Sequence, residues 1–241
     1  MSSAGSLAVV IPAYRAAATL PGVLARARRA LPGAALIVVD DGSGDGTEAA
    51  AREAGARVLR HARNEGKGRA LASGLAAAVG GAADIVVTLD ADGQHPPEAA
   101  PRLVEPIVAG AADLVVGARA RGGRDGAGGA MPAGRRATNW LSSALVSRAV
   151  GFPVPDSQSG FRAMRREVAA SVRPAGTRYE FETEFLFLAA QRGYRIAAVA
   201  VPTLYEGAAS HFRYGADTLA LAAVFLRHWR AILAGGARSA A

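Results

Sequence analysis

Through residue 119 the chain alternates two textures. Short runs, LAVVIP at 7–12, ALIVVD at 35–40, DIVVTLD at 84–90 and DLVVGAR at 113–119, are largely apolar and rich in β-branched residues, and ARVLRH at 56–61 is a shorter, more polar run of the same kind. Between them lie longer alanine-rich stretches, at 16–30, 45–54, 67–79 and 97–109, where apolar residues return at helical spacing. Such runs predict strands and such stretches predict amphipathic helices. Their alternation predicts an α/β domain with a mostly parallel, doubly wound sheet, and the near absence of polar positions within the runs suits strands covered on both faces. After residue 120 the rhythm changes. ARGGRDGAGGAMPAG, at 120–134, predicts a long glycine-rich loop of the kind that usually serves function. Helical segments are predicted at about 135–150 and 182–192, a separate strand at RIAAVAVP, 195–202, and a closing amphipathic helix at about 214–233. On that last helix Leu219, Ala222, Ala223, Leu226, Trp229, Ile232 and Leu233 fall near one face with Arg227 and Arg230 beside it, which suits packing on the sheet and a membrane surface equally.

Composition narrows the class. With 241 residues, 51% of them hydrophobic and 20% charged, the chain can bury a sizeable core as one domain. It has no cysteine, so disulfides, thiolate zinc sites and cysteine nucleophiles are excluded. The opening MSSAGSLAVVIPAY lacks the basic stretch and longer apolar run of a signal peptide, and LALAAVFL at 219–226 is far too short to span a bilayer, so cytoplasmic residence is expected. The formal charge of +8 points to an anionic partner or to compositional bias: of 28 basic residues only Lys67 is lysine. No helix-turn-helix, zinc-finger or aromatic-plus-basic strand signature appears, which argues against nucleic acid.

Open parallel sheets bind ligands beyond the carboxyl ends of their strands, and acidic residues sit at two of those ends. VVDDGSGDGT places Asp40 and Asp41 after the second strand; LDADGQHPPE places Asp90, Ala91 and Asp92 after the fourth. The glycines at 42, 44 and 46 lack dinucleotide-binding spacing, and two carboxylates before the turn would repel a pyrophosphate. NEGKGRAL lacks the hydroxyl residue and the glycine spacing of a P-loop. One of Asp40 and Asp41 serves as a helix cap as readily as a ligand. Asp90 and Asp92 form a D-x-D pair that attracts a hard divalent cation, Mg2+ or Mn2+, to which Gln94 adds an amide oxygen; the cation in turn attracts phosphate oxygens. His95 is expected to hydrogen-bond nearby rather than to ligate.

VVIPAY, VVDDGSGDGT, NEGKGRAL, LDADGQHPPE, VVGAR, DSQSGFRAMRR, YEFETEFLFLAAQRGYRI and SHFRYGADTL, in that order over about residues 7–215, resemble glycosyltransferase family 2, and within it the polyprenyl-phosphate, dolichyl-phosphate mannose synthase-like branch. The resemblance implies the GT-A nucleotide-diphospho-sugar fold. It implies a single domain whose half to about residue 120 holds the nucleotide sugar, UDP- or GDP-linked, and whose remainder holds the acceptor. By the same resemblance Pro12, Tyr14, Asp41 and the Asp90–Ala91–Asp92 turn line the nucleotide-sugar site, Asp90, Asp92 and Gln94 hold metal and diphosphate, and Arg119 lies close to the phosphates. Lys67, a compact point charge in a chain that otherwise uses arginine, suits the same site. Arg135, Arg136 and Asn139 are implied as acceptor-phosphate ligands. Asp156, Ser159 and Arg162 in DSQSGFR form a turn closing the sugar side, and Ser210, His211 and Arg213 make a second polar-basic cluster. Arg15 and Ala16 stand where the family usually has Asn-Glu.

The implied reaction is inverting transfer of a sugar from nucleoside diphosphate to an acceptor, with Asp92 and Arg119 among the catalytic groups. A polyprenyl phosphate acceptor is already anionic near neutral pH and needs no base. A hydroxyl acceptor needs one, and Glu182 aligns with the base of hydroxyl-using relatives. Three readings stay open: transfer to polyprenyl phosphate at the cytoplasmic membrane face, transfer to a hydroxyl with Glu182 as base, and a silent nucleotide-binding scaffold. A nucleotidyltransferase is disfavoured because its glycine-rich, arginine-bearing loop after the first strand is missing.

Overall fold

The computed structural model describes residues 5–119, 133–202 and 214–234. Most of the glycine-rich loop, and Ser210, His211 and Arg213, lie outside them. The predicted strand–helix units form in order: β1 (Leu7–Ala13), α1 (Leu20–Ala30), β2 (Ala35–Asp40), α2 (Thr47–Glu53), β3 (Arg57–Arg60), α3 (Lys67–Val79), β4 (Ile85–Thr88), α4 (Ala100–Val108) entered through a single 3-10 turn, and β5 (Leu114–Arg119). The second part comprises α5 (Ala133–Val150), β6 (Arg162–Arg165), α6 (Arg166–Ser171), α7 (Glu180–Gln191), β7 (Ile196–Val201) and α8 (Tyr214–Ala234).

Seven strands make one sheet in the order β3-β2-β1-β4-β6-β5-β7. All neighbours are parallel except β6, which runs antiparallel to both β4 and β5. DSQSGFR reads from the sequence as a turn, with no strand expected between it and the following segment. The turn instead feeds the four-residue strand β6, and α6 starts only at Arg166. The predicted separate strand is β7, paired along its whole length with β5. Alternation along β1 fixes the layers: Val9 and Ile11 pack in the core with α1 and α4, whereas Ala8 and Val10 pack in the core with α3, α6 and α7.

Helices α5, α7 and α8 pack on one another on the second of these faces. The stripe of α8 that packs is Leu221, Val224 and His228, not the one beginning at Leu219. Leu219 and Leu226 are 72% and 73% exposed, and Trp229 and Leu233 also face outward. Glu184 fastens α8. One of its carboxylate oxygens accepts the Ala175 and Gly176 N–H groups at 2.8 Å each, and the other pairs with Arg227. The His228 ring stacks on Phe187 with centroids 5.1 Å apart.

Candidate active site

At the carboxyl ends of β1, β2, β4 and β5 a cleft of about 370 Å³ opens, within the range of small-ligand sites. It lies where the chain leaves β1 toward β2 on one side and the sheet continues to β4 on the other, the switch point at which open α/β sheets bind ligands. Pro12, Tyr14, Asp41, Lys67, Asp90, Ala91 and Asp92 all line it, as do Gln94, Arg119 and Ser159.

The loops that carry these residues are stitched together by the motif first read for its acids. Ser43 accepts the Arg15 N–H at 2.8 Å and Thr47 accepts the Ala16 N–H at 2.9 Å. Arg15 is thereby held at φ 51°, an uncommon conformation for a side-chain-bearing residue, with its guanidinium over Tyr14. Neither member of the acidic pair caps a helix, as α2 begins at Thr47 with Gly46 at its N-cap; Asp40 instead accepts the Ser43 N–H within the turn after β2. Asp41 accepts three donors: His61 Nδ1 at 2.7 Å and the N–H groups of Glu65 and Gly66. It therefore fixes loop 61–66, which brings Asn64 and Gly66 to the cleft.

Lys67 opens α3, and its ammonium lies 2.8 Å from Asp90 Oδ1 and 2.8 Å from Glu182 Oε1. Two glycines allow this. A Cβ on Gly68 would come within 2.7 Å of Phe181 Cβ, and one on Gly160 within 2.7 Å of both Asp90 oxygens. The first lets α3 lie flush on the start of α7; the second lets the DSQSG turn press against the carboxylate. Burial opposes the charge on Lys67, but Asp90 and Glu182 outweigh it and push its pKa up. Burial likewise works against Asp90, and Lys67 still pulls that carboxyl below its ordinary value. Glu182 is 2% exposed and absent from the cleft wall; burial pushes its carboxyl up despite Lys67 and Arg162 beside it.

Asp92 stands at the open side of the pair. Burial and the Asp90 charge push its carboxyl above the usual range, and one of its oxygens accepts the Gln94 N–H at 3.0 Å. An acidic pair in which the outer member is held with so little compensating charge fits a divalent cation. Among the described residues no group of three or more His, Cys, Asp or Glu side chains is arranged to hold a metal by itself. Mg2+ is ordinarily bound by one or two carboxylates together with waters and substrate phosphates.

On the far side of the cleft Arg119 makes a bidentate pair with Asp156, Nη2 to Oδ1 at 2.9 Å. Asp156 is buried and held well below the usual carboxylate range: burial works against it, and the Arg119 hydrogen bonds prevail. Ser159 is on the cleft wall, its hydroxyl donating to the Gly117 carbonyl at 2.6 Å. Arg162 is not on the wall. It is 3% exposed and donates to the Ser159 and Ser157 carbonyls, stitching the turn from behind, and burial pushes its pKa down to about 10. His95 packs against Phe161, with its Nδ1 buried and unbonded. Arg135, Arg136 and Asn139 lie in the first turns of α5. The sequence reading missed Arg178 and Tyr179, which reach the cleft because α7 begins beside α3. YEFETEF contained the tyrosine, but only the α3–α7 contact shows where it points.

Residues 8–173 match the family model described as glycosyl transferase family 2. The chain belongs to this family. Among curated relatives, the transferase is 32% identical over 203 residues to undecaprenyl-phosphate mannosyltransferase of Micrococcus luteus, covering 80% of this chain and 81% of that protein. It is 30% identical over 202 residues to polyprenol monophosphomannose synthase of Mycolicibacterium smegmatis, covering 80% and 75%. Among solved structures it resembles glucosyl-3-phosphoglycerate synthase from Mycobacterium tuberculosis in complex with Mn2+, UDP and glucosyl-3-phosphoglycerate. The TM-score is 0.73 at 28% identity, over 92% of this chain and 79% of that one. The family 2 glycosyltransferase thus has the GT-A fold, with one reversed strand in an otherwise parallel sheet.

Proposed function

We propose that this glycosyltransferase moves a sugar, with inversion, from a nucleoside diphosphate to a polyprenyl phosphate at the inner membrane face, using Mg2+ or Mn2+. The observation that carries the acceptor assignment is the state of the carboxylates. Those on the cleft wall are Asp41, Asp90 and Asp92: the first is saturated by three donors, and the other two form the cation pair. Glu182 lies behind Lys67. No carboxylate outside the cation pair is therefore spare on the cleft wall among the described residues, His95 on that wall is packed against Phe161, and a nucleophile that arrives already ionised suits such a site. The names of the relatives from Micrococcus luteus and Mycolicibacterium smegmatis support the same acceptor.

Asp90, Asp92 and Gln94 would hold the cation, which when bound neutralises charge building on the departing diphosphate. Lys67 and Arg119 place fixed positive charge at either side of the same cleft, and Asp156 keeps the Arg119 fork oriented. Tyr14 and Pro12 give the nucleotide an apolar wall. Membrane contact is supported by the exposed Leu219, Leu226, Trp229 and Leu233 on α8, by the exposed Trp140 and Leu141 on α5, and by the +8 charge.

The test is direct. Purified protein is incubated with UDP- and GDP-sugars and either polyprenyl phosphate or hydroxyl acceptors, phosphoglyceric acid and a simple saccharide among them, with and without EDTA. Mass spectrometry should find glycosylated polyprenyl phosphate, and none in EDTA. Transfer confined to hydroxyl acceptors would overturn the assignment, and nucleotide binding without any turnover would leave the scaffold reading.

A further inference from the structure

We propose that Glu182 is a positioning residue for Lys67, and that through this pair the cation and the nucleotide bind interdependently. Lys67 pairs with Asp90, and a cation can take Asp90 fully only when a diphosphate takes the released ammonium. The inference rests on the donor and cation reading above.

One ammonium spans two carboxylates, 2.8 Å from each. The partners are unlike. Asp90 stands on the cleft wall, whereas Glu182 is buried behind it and its Oε2 accepts no hydrogen bond. A divalent cation arriving at Asp90 and Asp92 competes with Lys67 for the same carboxylate and repels its ammonium at close range. Lys67 is not then expelled, because Glu182 remains its counter-ion from inside and the side chain lies on the cleft wall facing any bound diphosphate. The geometry suits lysine: the ammonium is a compact charge with three donors that reaches two carboxylates at 2.8 Å each, and the absence of a side chain at Gly160 leaves it room to do so. This gives a physical reason for the single lysine among 28 basic residues. Cation alone must break the Lys67–Asp90 pair without recompense, and nucleotide alone meets an ammonium already engaged. By linkage, each ligand raises the affinity of the other by the same factor.

Mn2+ binding is measured by the electron paramagnetic resonance signal of the free ion, without and with saturating UDP or GDP; the ratio of the two dissociation constants is the coupling. Lys67→Met should bind Mn2+ alone more tightly than the wild type and lose about tenfold of the coupling, within the usual span of coupling energies. Glu182→Gln leaves Lys67 wholly to Asp90, so Mn2+ alone should bind more weakly while coupling rises. A merely structural Glu182 would lower the melting temperature and leave the ratio unchanged. If Lys67→Met fails to fold because Glu182 is left unpaired, Lys67→Met/Glu182→Gln removes both charges and should show the same tighter Mn2+ binding and reduced coupling. Unchanged coupling in a folded variant lacking Lys67 overturns the inference alone. Failure of the wild type to bind either nucleotide, with or without Mn2+, overturns the donor reading and this inference together.

Discussion

Asp156 shows how a residue can look like a ligand and act as a brace. Both its oxygens go to Arg119, so Asp156→Asn weakens a charge-assisted pair with a half-buried guanidinium and should cost about 1.5–3 kcal/mol. Its carboxyl titrates below the ordinary 3.8, so the pair stabilises the fold fully above that value and loses its contribution as pH falls through the depressed one. Urea unfolding of wild type and variant should therefore differ at pH 7 and converge in strong acid. Asp92 is the opposite case, open to the cleft. Asp92→Asn should change stability by no more than about 0.5 kcal/mol, measured by thermal melting, while cation-dependent transfer falls by about 100-fold or more. The acid pair and Gln94 were legible in the sequence because a strand end is a local feature. The partnership of Lys67 with Glu182 was not, because the two belong to distant segments that meet only when α3 docks on α7. Arg162 misled for a related reason: a charge inside a polar motif reads as a ligand until burial shows it stitching the turn from behind.

Among the elements, the docking of α3 on α7 decides whether the site exists. Gly68→Ala places a methyl 2.7 Å from Phe181 Cβ and 2.8 Å from the Thr177 carbonyl carbon, so the helix start must move away. A loss of about 1–3 kcal/mol is expected by chemical denaturation, together with weakened nucleotide binding. Gly22→Ala in α1 meets nothing within 4 Å and should instead stabilise by about 0.5–1 kcal/mol. The parallel strands and the helices between them were readable because their periodicity persists for many residues. β6 was not: it has four residues, two of them arginine, and Arg162, Ala163 and Met164 are all buried, so no alternation betrays it. For α8 the element was readable and its orientation was not. Its two sides are both apolar, and only Glu184, Phe187 and Gln191 on α7, which bind Arg227 and His228, show which side packs.

The whole molecule presents exposed tryptophan and leucine on two helices that pack against each other, within a strongly basic chain. It should float with vesicles containing anionic phospholipid and be released progressively by salt. Replacing Leu226, Trp229 and Leu233 together by serine should abolish flotation without lowering the melting temperature. Arg227 should be spared in that experiment because it anchors α8 to Glu184. The reversal of β6 has a wider consequence. Because β6 runs against β5, the chain leaves the sheet after Arg119 and returns at Arg162 on the same rim, and the Arg119–Asp156 pair clasps the two ends of the excursion. The described part of that excursion carries α5, which packs on α7 and α8, so it can be exchanged without altering the order or direction of any strand only where that packing is kept. Grafting the corresponding excursion from a relative onto Arg119 and Asp156 should change which acceptor is used while leaving UDP or GDP affinity within a few-fold. On the proposed reading, a change of acceptor then needs no change in the cleft at the ends of β1, β2 and β4.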